Sequence, residues 1–396
     1  MGPNVEKIKK ELKRLKVPRQ YWGIDLDSFF MYQWNIYLSV REVAGKTTQS
    51  IILGLLLFKL FPERYQIEYL RWDNSQIVRG NIETIFDTII RFGYIEKIFD
   101  GKYNAVEYKY QTHKFYLCKK DGDGNILEMD ESPCMVVHSV EKWLDIKSSY
   151  NAAGKGNYIV LDECFDTKRP TYSLFVQLLN VVSTIGRPLS GDNKDWLHIL
   201  LLGNNTDEYS FLFDDFMIDA STLDYGGVIT FQTEYNTTGL CRLLELGEEQ
   251  KKRLEDRNIP FLGFPGKKAA SFTGATAFSG KSYRHIDFEL NYEYCKFRRV
   301  YIRHRGRYMQ LDLFNTEEKG YFVFVHFAAP PKYDDNLILT LEPETPYDLY
   351  GFGKYCKNDR VKKVLNAYTE LLLQHRFYYA SNKVGSLVDD FIQNID

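Results

Sequence analysis

Two short strings in this chain could act together on a phosphate ester. Gly45-Lys46-Thr47 offers a cation and a hydroxyl, and Asp162-Glu163 offers two carboxylates. A lysine supplies a point charge for β- and γ-phosphates, and a threonine hydroxyl is a ligand for Mg²⁺. Asp162 could hold the same ion through water, while Glu163 polarises the water that attacks. Each string alone says little. The usual phosphate-loop pattern GxxxxGK[ST] places Gly where this chain has Val40, and a bare Gly-Lys-Thr also occurs in ordinary turns. An isolated Asp-Glu pair is equally at home on a solvated strand end. The elements that carry the strings decide between these readings.

Asn35–Val40 is a short β-type run, Arg41–Gly45 a tight turn, and Lys46 onward an apolar helix without proline. Gly45 and Lys46 therefore sit at a strand-to-helix hinge, with Thr47 and Thr48 in the first turn. Free N–H groups and the macrodipole favour an anion there. Tyr158–Glu163, YIVLDE, follows about 115 residues later. Its four successive apolar residues suggest a strand buried on both faces, as in a parallel sheet. Carboxylates seldom end such a strand without a task. Gln66–Arg71 reads as another strand, with Arg71 at its C-terminal end, and Asn81–Phe92 as a helix. Tyr172–Ile185 is helical and is followed by a polar loop, Gly186–Asp195, with Arg187 and Lys194. Trp196–Gly203 is a third buried strand ending in Asn204-Asn205-Thr206, whose amides are suited to sense a γ-phosphate or the attacking water. Val228–Gln232 could be a further strand. Alternating strands and helices with the chemistry at strand C-termini is the doubly wound α/β pattern, whose ligands bind beyond those ends.

With 396 residues the chain has room for two or three domains. A net charge of −2 gives no global sign of a nucleic-acid partner, so any such surface must be local. The 6 cysteines, at 118, 134, 164, 241, 295 and 356, form no CxxC and no zinc spacing, which fits reduced thiols in an intracellular setting. The most apolar run, Ile51–Phe58, is too short to span a bilayer, and no signal peptide is expected. Residues 4–19 form a short amphipathic basic helix, able either to contact phosphates or to dock its apolar stripe. Between Ala105 and Leu127 the period is two, with an Asp121-Gly-Asp-Gly-Asn125 turn. Ile126 and Ser132 stand where an EF-hand needs Gly and Glu, so this is a hairpin and not a calcium loop.

From Leu240 the texture changes. Glu245–Arg257 reads as a charged helix, and Ile259–Gly280, rich in Gly, Pro, Ala and Ser, as a linker. The segment 281–307 is basic and interleaved with aromatics. Arg298–Arg303, Tyr308–Leu313 and Tyr321–Phe327 alternate like an antiparallel meander, closed by helices at Val361–Gln374 and Lys383–Ile395. The expected division is a basic helix over 1–20, a nucleotide domain over 21–238, a linker over 239–280 and an α+β domain over 281–396.

In the ordered set SVREVAGKTT, YIVLDE, LLNVVSTIGR and LLLGNN, the chain resembles the DNA-packaging ATPases of small short-tailed bacteriophages, relatives of the large terminases. The resemblance implies an α/β P-loop NTPase of the additional-strand catalytic-Glu class, with a mostly parallel sheet. A smaller α+β, RNase H-like domain, expected to lack nuclease activity, should follow it. It further implies ATP and Mg²⁺, a homo-oligomeric ring of about five subunits on the portal of an empty capsid, and double-stranded DNA gripped without sequence preference. An RNA scaffold is a possible further partner, and the host cytoplasm the expected compartment, with no membrane. Residue by residue, Lys46 and Thr47 match the phosphate-loop Lys and the Mg²⁺ hydroxyl, and Asp162 and Glu163 the metal-binding and catalytic acids. Arg187 matches an arginine finger reaching the neighbouring subunit's ATP, and Asn204 and Asn205 fall at the coupling motif. Arg41 falls where related loops carry a basic residue, and Arg71 is a candidate for contacting phosphate.

Two other functions are compatible with parts of the chain. A terminase with a live nuclease would need carboxylates converging on two metals, with Asp287, Asp312 and Asp389 as candidates. A non-translocating nucleotide switch would want Asn-Lys-x-Asp. The nearest string, Asn193-Lys194-Asp195-Trp196, has its Asp one position early.

Overall fold

The computed structural model describes residues 3–17, 24–39, 45–149, 155–165, 172–186, 196–204, 211–220, 223, 226–232, 238–244, 293–294, 299–317, 320–332, 336–346 and 348–395. Their elements fall into two compact units. The first contains, in order, α1 (Val5–Leu15), α2 (Leu26–Met31), β1 (Trp34–Ser39), α3 (Lys46–Leu60), β2 (Ile67–Arg71), α4 (Arg79–Glu83), α5 (Asp87–Arg91) and α6 (Tyr94–Ile98). It continues with β3 (Ala105–Lys109), β4 (Lys114–Lys120), β5 (Ile126–Met129), β6 (Met135–Ser139), α7 (Trp143–Ser149), β7 (Tyr158–Asp162), α8 (Tyr172–Ile185), β8 (His198–Asn204), α9 (Phe211–Asp215), β9 (Val228–Gln232) and β10 (Thr238–Leu243).

The apolar runs behave as their composition requires. β1, β7 and β8 are buried along nearly their whole length and lie side by side in a sheet ordered β3-β4-β6-β2-β7-β8-β1-β10-β9, with β5 on β4. From β6 across to β10 neighbouring strands are parallel. Antiparallel pairs close both edges, β9 on β10 and β4 on β6. β8 stands between β1 and β7, the extra-strand arrangement expected for the nucleotide domain. One apolar core joins α3 to one sheet face, and a second joins α8 to the other. α3 is buried all round from Gln49 to Phe58 because the sheet lies on one side and α1, α5 and α6 on the other. At Gly54 a Cβ would stand 2.5 Å from Ile67 Cγ1 and 2.8 Å from Tyr158 Cε1, so only glycine lets α3 approach this closely.

Three stretches differ from the sequence expectation. The single helix over Asn81–Phe92 is broken into α4, a 3₁₀ turn at Thr84–Phe86 and α5. Thr84 Oγ1 donates back to the Asn81 carbonyl at 2.9 Å, the local competition that weakens helix interiors. Thr238–Leu243, which overlaps the expected start of the linker, is a strand that pairs with β1 inside the main sheet. With Arg242 in a run of only 6 residues, local pattern gave no sign of that partner. The Asp121 turn is the β4–β5 hairpin, Asp121 Oδ1 accepting from the Asp123 and Asn125 N–H groups at 3.0 and 2.8 Å. The expected Glu245–Arg257 helix and the Ile259–Gly280 linker lie outside the described residues.

The second unit contains β11 (Glu293–Tyr294), β12 (Val300–His304), β13 (Arg307–Thr316), β14 (Gly320–Ala328), β15 (Leu337–Thr340), β16 (Asp348–Tyr350), α10 (Asp359–Leu373), β17 (Phe377–Tyr379) and α11 (Asn382–Gln393). β12, β13 and β14 form the expected antiparallel meander. β15 and β17 flank it in parallel, giving the order β16-β15-β12-β13-β14-β17, with β11 on β13. Arg305 and Gly306 turn β12 into β13 with φ of 49° and 70°, the backbone of a tight hairpin turn. α10 and α11 bury Val361, Leu365, Leu387 and Phe391 with this sheet's core. Among the described residues no helix is long and apolar enough to cross a membrane.

Candidate active site

β1 and α3 bring Lys46 and Thr47 to the C-terminal edge of the parallel sheet. Gly45 caps α3 with φ 61°, a left-handed conformation that glycine adopts freely. Lys46 Nζ donates to Ser39 Oγ at 2.5 Å and to Asn204 Oδ1 at 3.1 Å, bridging the ends of β1 and β8. Thr47 Oγ1 donates to Asp162 Oδ2 at 2.9 Å, across 115 residues of sequence. Two strings that were separate in the sequence therefore share one site. Thr48 is half-buried in the same helical turn.

Asp162 is nearly buried at the end of β7. Besides Thr47, its Oδ2 accepts from the Tyr69 hydroxyl at 2.6 Å and lies 3.5 Å from Arg71 Nη2. Its Oδ1 accepts from the Glu163 N–H at 3.0 Å. Glu163 has φ 58°, a strained conformation for a residue with a side chain, of the kind that gathers at functional sites. Its carboxylate is half-exposed and stands 2.5 Å from Arg71 Nη1. Burial opposes the Arg71 charge, but Tyr69, Asp162 and Glu163 outweigh it and hold the guanidinium above its ordinary range. Burial, and then the Asp162 charge, pushes the Tyr69 hydroxyl well up, so it stays protonated and donates.

The structure thus gathers Gly45, Lys46, Thr47, Asp162, Glu163, Arg71 and Asn204. Arg41, Arg187 and Asn205 lie outside the described residues. Arg71, a candidate for contacting phosphate, pairs here with the two acids. Sequence reasoning missed Ser39 and Tyr69. The signal for Tyr69 was present, because positions 69 and 71 of one strand share a face. As a donor set, a threonine hydroxyl and a carboxylate are the hard oxygens that suit Mg²⁺, and the helix N-terminus with Lys46 suits a triphosphate.

In the second unit, Asp312 accepts from Gln310 Nε2 at 2.7 Å, and its Oδ2 lies 2.9 Å from His326 Nε2. Asp389 sits on α11, and Asp287 lies outside the described residues. Among the described residues no group of three His, Cys, Asp or Glu is placed to hold a metal ion. Two arginines of the basic segment are turned to structural use. Arg303 Nη2 meets Asp348 Oδ2 at 3.1 Å and its Nη1 meets Glu344 at 2.9 Å, while Arg305 Nε meets Asp390 at 2.8 Å.

No family model matches the sequence, and no curated protein does. Solved structures share its fold. The phi-29 viral genome packaging motor assembly aligns with a TM-score of 0.56 and 14% identity, over 94% of this chain and 99% of that one. The phi-28 gp11 DNA packaging motor aligns with a TM-score of 0.53 and 14% identity, over 92% of this chain and 95% of that one. The fold class read from the sequence, a mostly parallel α/β sheet followed by a smaller α+β unit, is the one found.

Proposed function

We propose that this chain is the ATPase of a viral DNA-packaging motor, using ATP hydrolysis to drive double-stranded DNA into a preformed capsid. One observation carries the reading: Thr47 and Asp162 meet at 2.9 Å beside Lys46, at the tips of parallel strands. The shared fold with packaging motors supports the class of work.

Thr47 and Asp162 would hold Mg²⁺, which when bound neutralises charge on the transferring phosphoryl. Lys46 balances charge on the β- and γ-phosphates, and the α3 N-terminus adds its N–H groups. Glu163 orients the attacking water, which requires its carboxylate to leave Arg71. Asn204, already bonded to Lys46, couples the γ-phosphate end of the site to β8, with Asn205 beside it in sequence. Arg187 enters the neighbouring subunit's site in a homo-oligomeric ring, and Arg41 adds a basic residue to the phosphate loop. Such a finger is worth ~10³–10⁵ in rate in other systems, so hydrolysis should depend on assembly.

DNA would be held by its phosphates, since packaging accepts any sequence, and binding should weaken steeply with salt. With Arg303 and Arg305 occupied, the exposed Lys7, Lys10, Lys13 and Lys16 of the N-terminal helix and its cap are the better candidates. A portal, an RNA scaffold and a five-membered ring complete the proposal, with the second unit as an RNase H-like module. Pairwise mixing of Lys46→Ala, Glu163→Gln and Arg187→Ala subunits tests it. Mixed rings should regain hydrolysis only where an intact site meets an intact Arg187. Parent-level turnover by pure Arg187→Ala rings would remove the finger, and parent-level turnover by Lys46→Ala would remove the site.

A further inference from the structure

On the sheet face that α8 covers, β7 and β8 bury apolar side chains, but the neighbouring strands change character. Glu68 of β2 is fully buried there and accepts from Gln66 Nε2 at 2.9 Å, with His138 Nε2 of β6 2.7 Å away. Over this polar stretch opens a cavity of about 760 Å³, within the size range of small-ligand sites. Among the described residues Lys114, Lys142, Lys155, His113 and His138 line it, with Asp145 as a carboxylate. Glu68 is hydrogen-bonded to Gln66 and lies against His138, and among the described residues three lysines and one carboxylate line the cavity. None of the described residues of the candidate active site lines it.

His113 stands on the wall of this cavity. The Tyr108 hydroxyl lies 2.9 Å from its Nδ1. Burial, and then the positive charges of Lys142 and His138, hold its imidazole below the ordinary histidine range. An anion in the cavity would relieve that repulsion. Lysine ammonium groups are point-charge partners for phosphate oxygens, and the hydroxyl of Ser132 on the wall can donate to them.

We propose that this cavity is a second anion site, taking a phosphate group independently of the candidate active site. The phosphate can come from a small di- or monophosphate or from a nucleic-acid backbone, and the two sources are separable by experiment. The full chain carrying Lys46→Ala, to weaken phosphate binding at the active site, is labelled with ¹³C-histidine, and His113→Gln assigns the signal. Pyrophosphate and a 12-nucleotide oligomer are titrated separately, with sodium chloride at matched ionic strength as control. The expected result is a saturable shift of the His113 signal and an upward move of its pKa, because a bound anion favours the imidazolium. Saturation by pyrophosphate alone names a small phosphate, and saturation by the oligomer at tenfold lower concentration names a backbone. Lys114→Gln with Lys142→Gln should weaken the response at least tenfold, while Lys142→Arg should keep it. A His113 signal that neither probe moves beyond the chloride control, or a response unchanged in the double variant, overturns the proposal.

Discussion

Tyr69 and Arg71 leave the same face of β2, and both reach the acids at the end of β7. Tyr69 gives Asp162 a hydrogen bond inside the core, where water could not replace it. Tyr69→Phe should therefore cost about 1.5–3 kcal/mol, the range for bonds to charged groups, read as a lower urea midpoint. The same change leaves Asp162 less firmly aimed at Thr47, so Mg²⁺-dependent nucleotide binding should also weaken. In the proposed reaction Glu163 serves turnover rather than binding. Glu163→Gln should keep nucleotide affinity and lower the hydrolysis rate ~10²–10⁴-fold, as loss of a general base does. Fluorescent-nucleotide binding and phosphate release, measured side by side, check both halves. A Glu163→Gln protein that hydrolyses at the parent rate would show that another group orients the water.

At the scale of elements, α3 matters because it fixes where Lys46 and Thr47 stand. Its close approach to β2 and β7 depends on Gly54, whose added Cβ would press on Ile67 and Tyr158. Gly54→Val should destabilise by about 1–3 kcal/mol through overpacking, seen as a lower midpoint in urea without a change of slope. Because Tyr158 also donates to the Ser50 carbonyl at 2.8 Å, a shifted α3 should disturb nucleotide binding as well as stability. α1 bears on the same helix. Ile8 and Leu15 are buried with its core, and Glu11, Arg14, Lys59 and Asp100 form ion pairs along the contact. The basic helix thus docks its apolar stripe, one of the two roles considered for it, and keeps its outer lysines exposed.

At the scale of the whole molecule, pH acts through the second unit in two opposite senses. The hydrogen bond with Asp312 outweighs burial and raises the His326 pKa above 6.5. Its stabilising contribution is complete below 6.5 and is lost as pH rises through the folded-state value. Burial tends to raise the Asp390 carboxyl, but the His304 hydrogen bond and the Arg305 charge outweigh it and hold it below 3.8. That contribution is present above 3.8 and is lost as pH falls through the folded-state value. Thermal unfolding of the full chain against pH should therefore weaken on both sides. Asp312→Asn should remove the alkaline loss, and an NMR titration should return the His326 pKa toward 6.5. A His326 titration unmoved by that change would break the assignment.

What sequence alone determined were the local units and their chemistry. The strand-turn-helix at Lys46, the buried strand ending in Asp162-Glu163 and the meander after Arg298 are written in short-range patterns of burial period, turn residues and helix starts. Those patterns cannot say which strand neighbours which, because neighbours are chosen by packing between segments far apart in the chain. Only the tertiary structure decided that β10 joins the sheet beside β1, and that Arg71 faces carboxylates. It alone brought Lys114, His138 and Lys155 around one cavity, for the same reason: charges distant in sequence share a surface only once a sheet has been assembled beneath them.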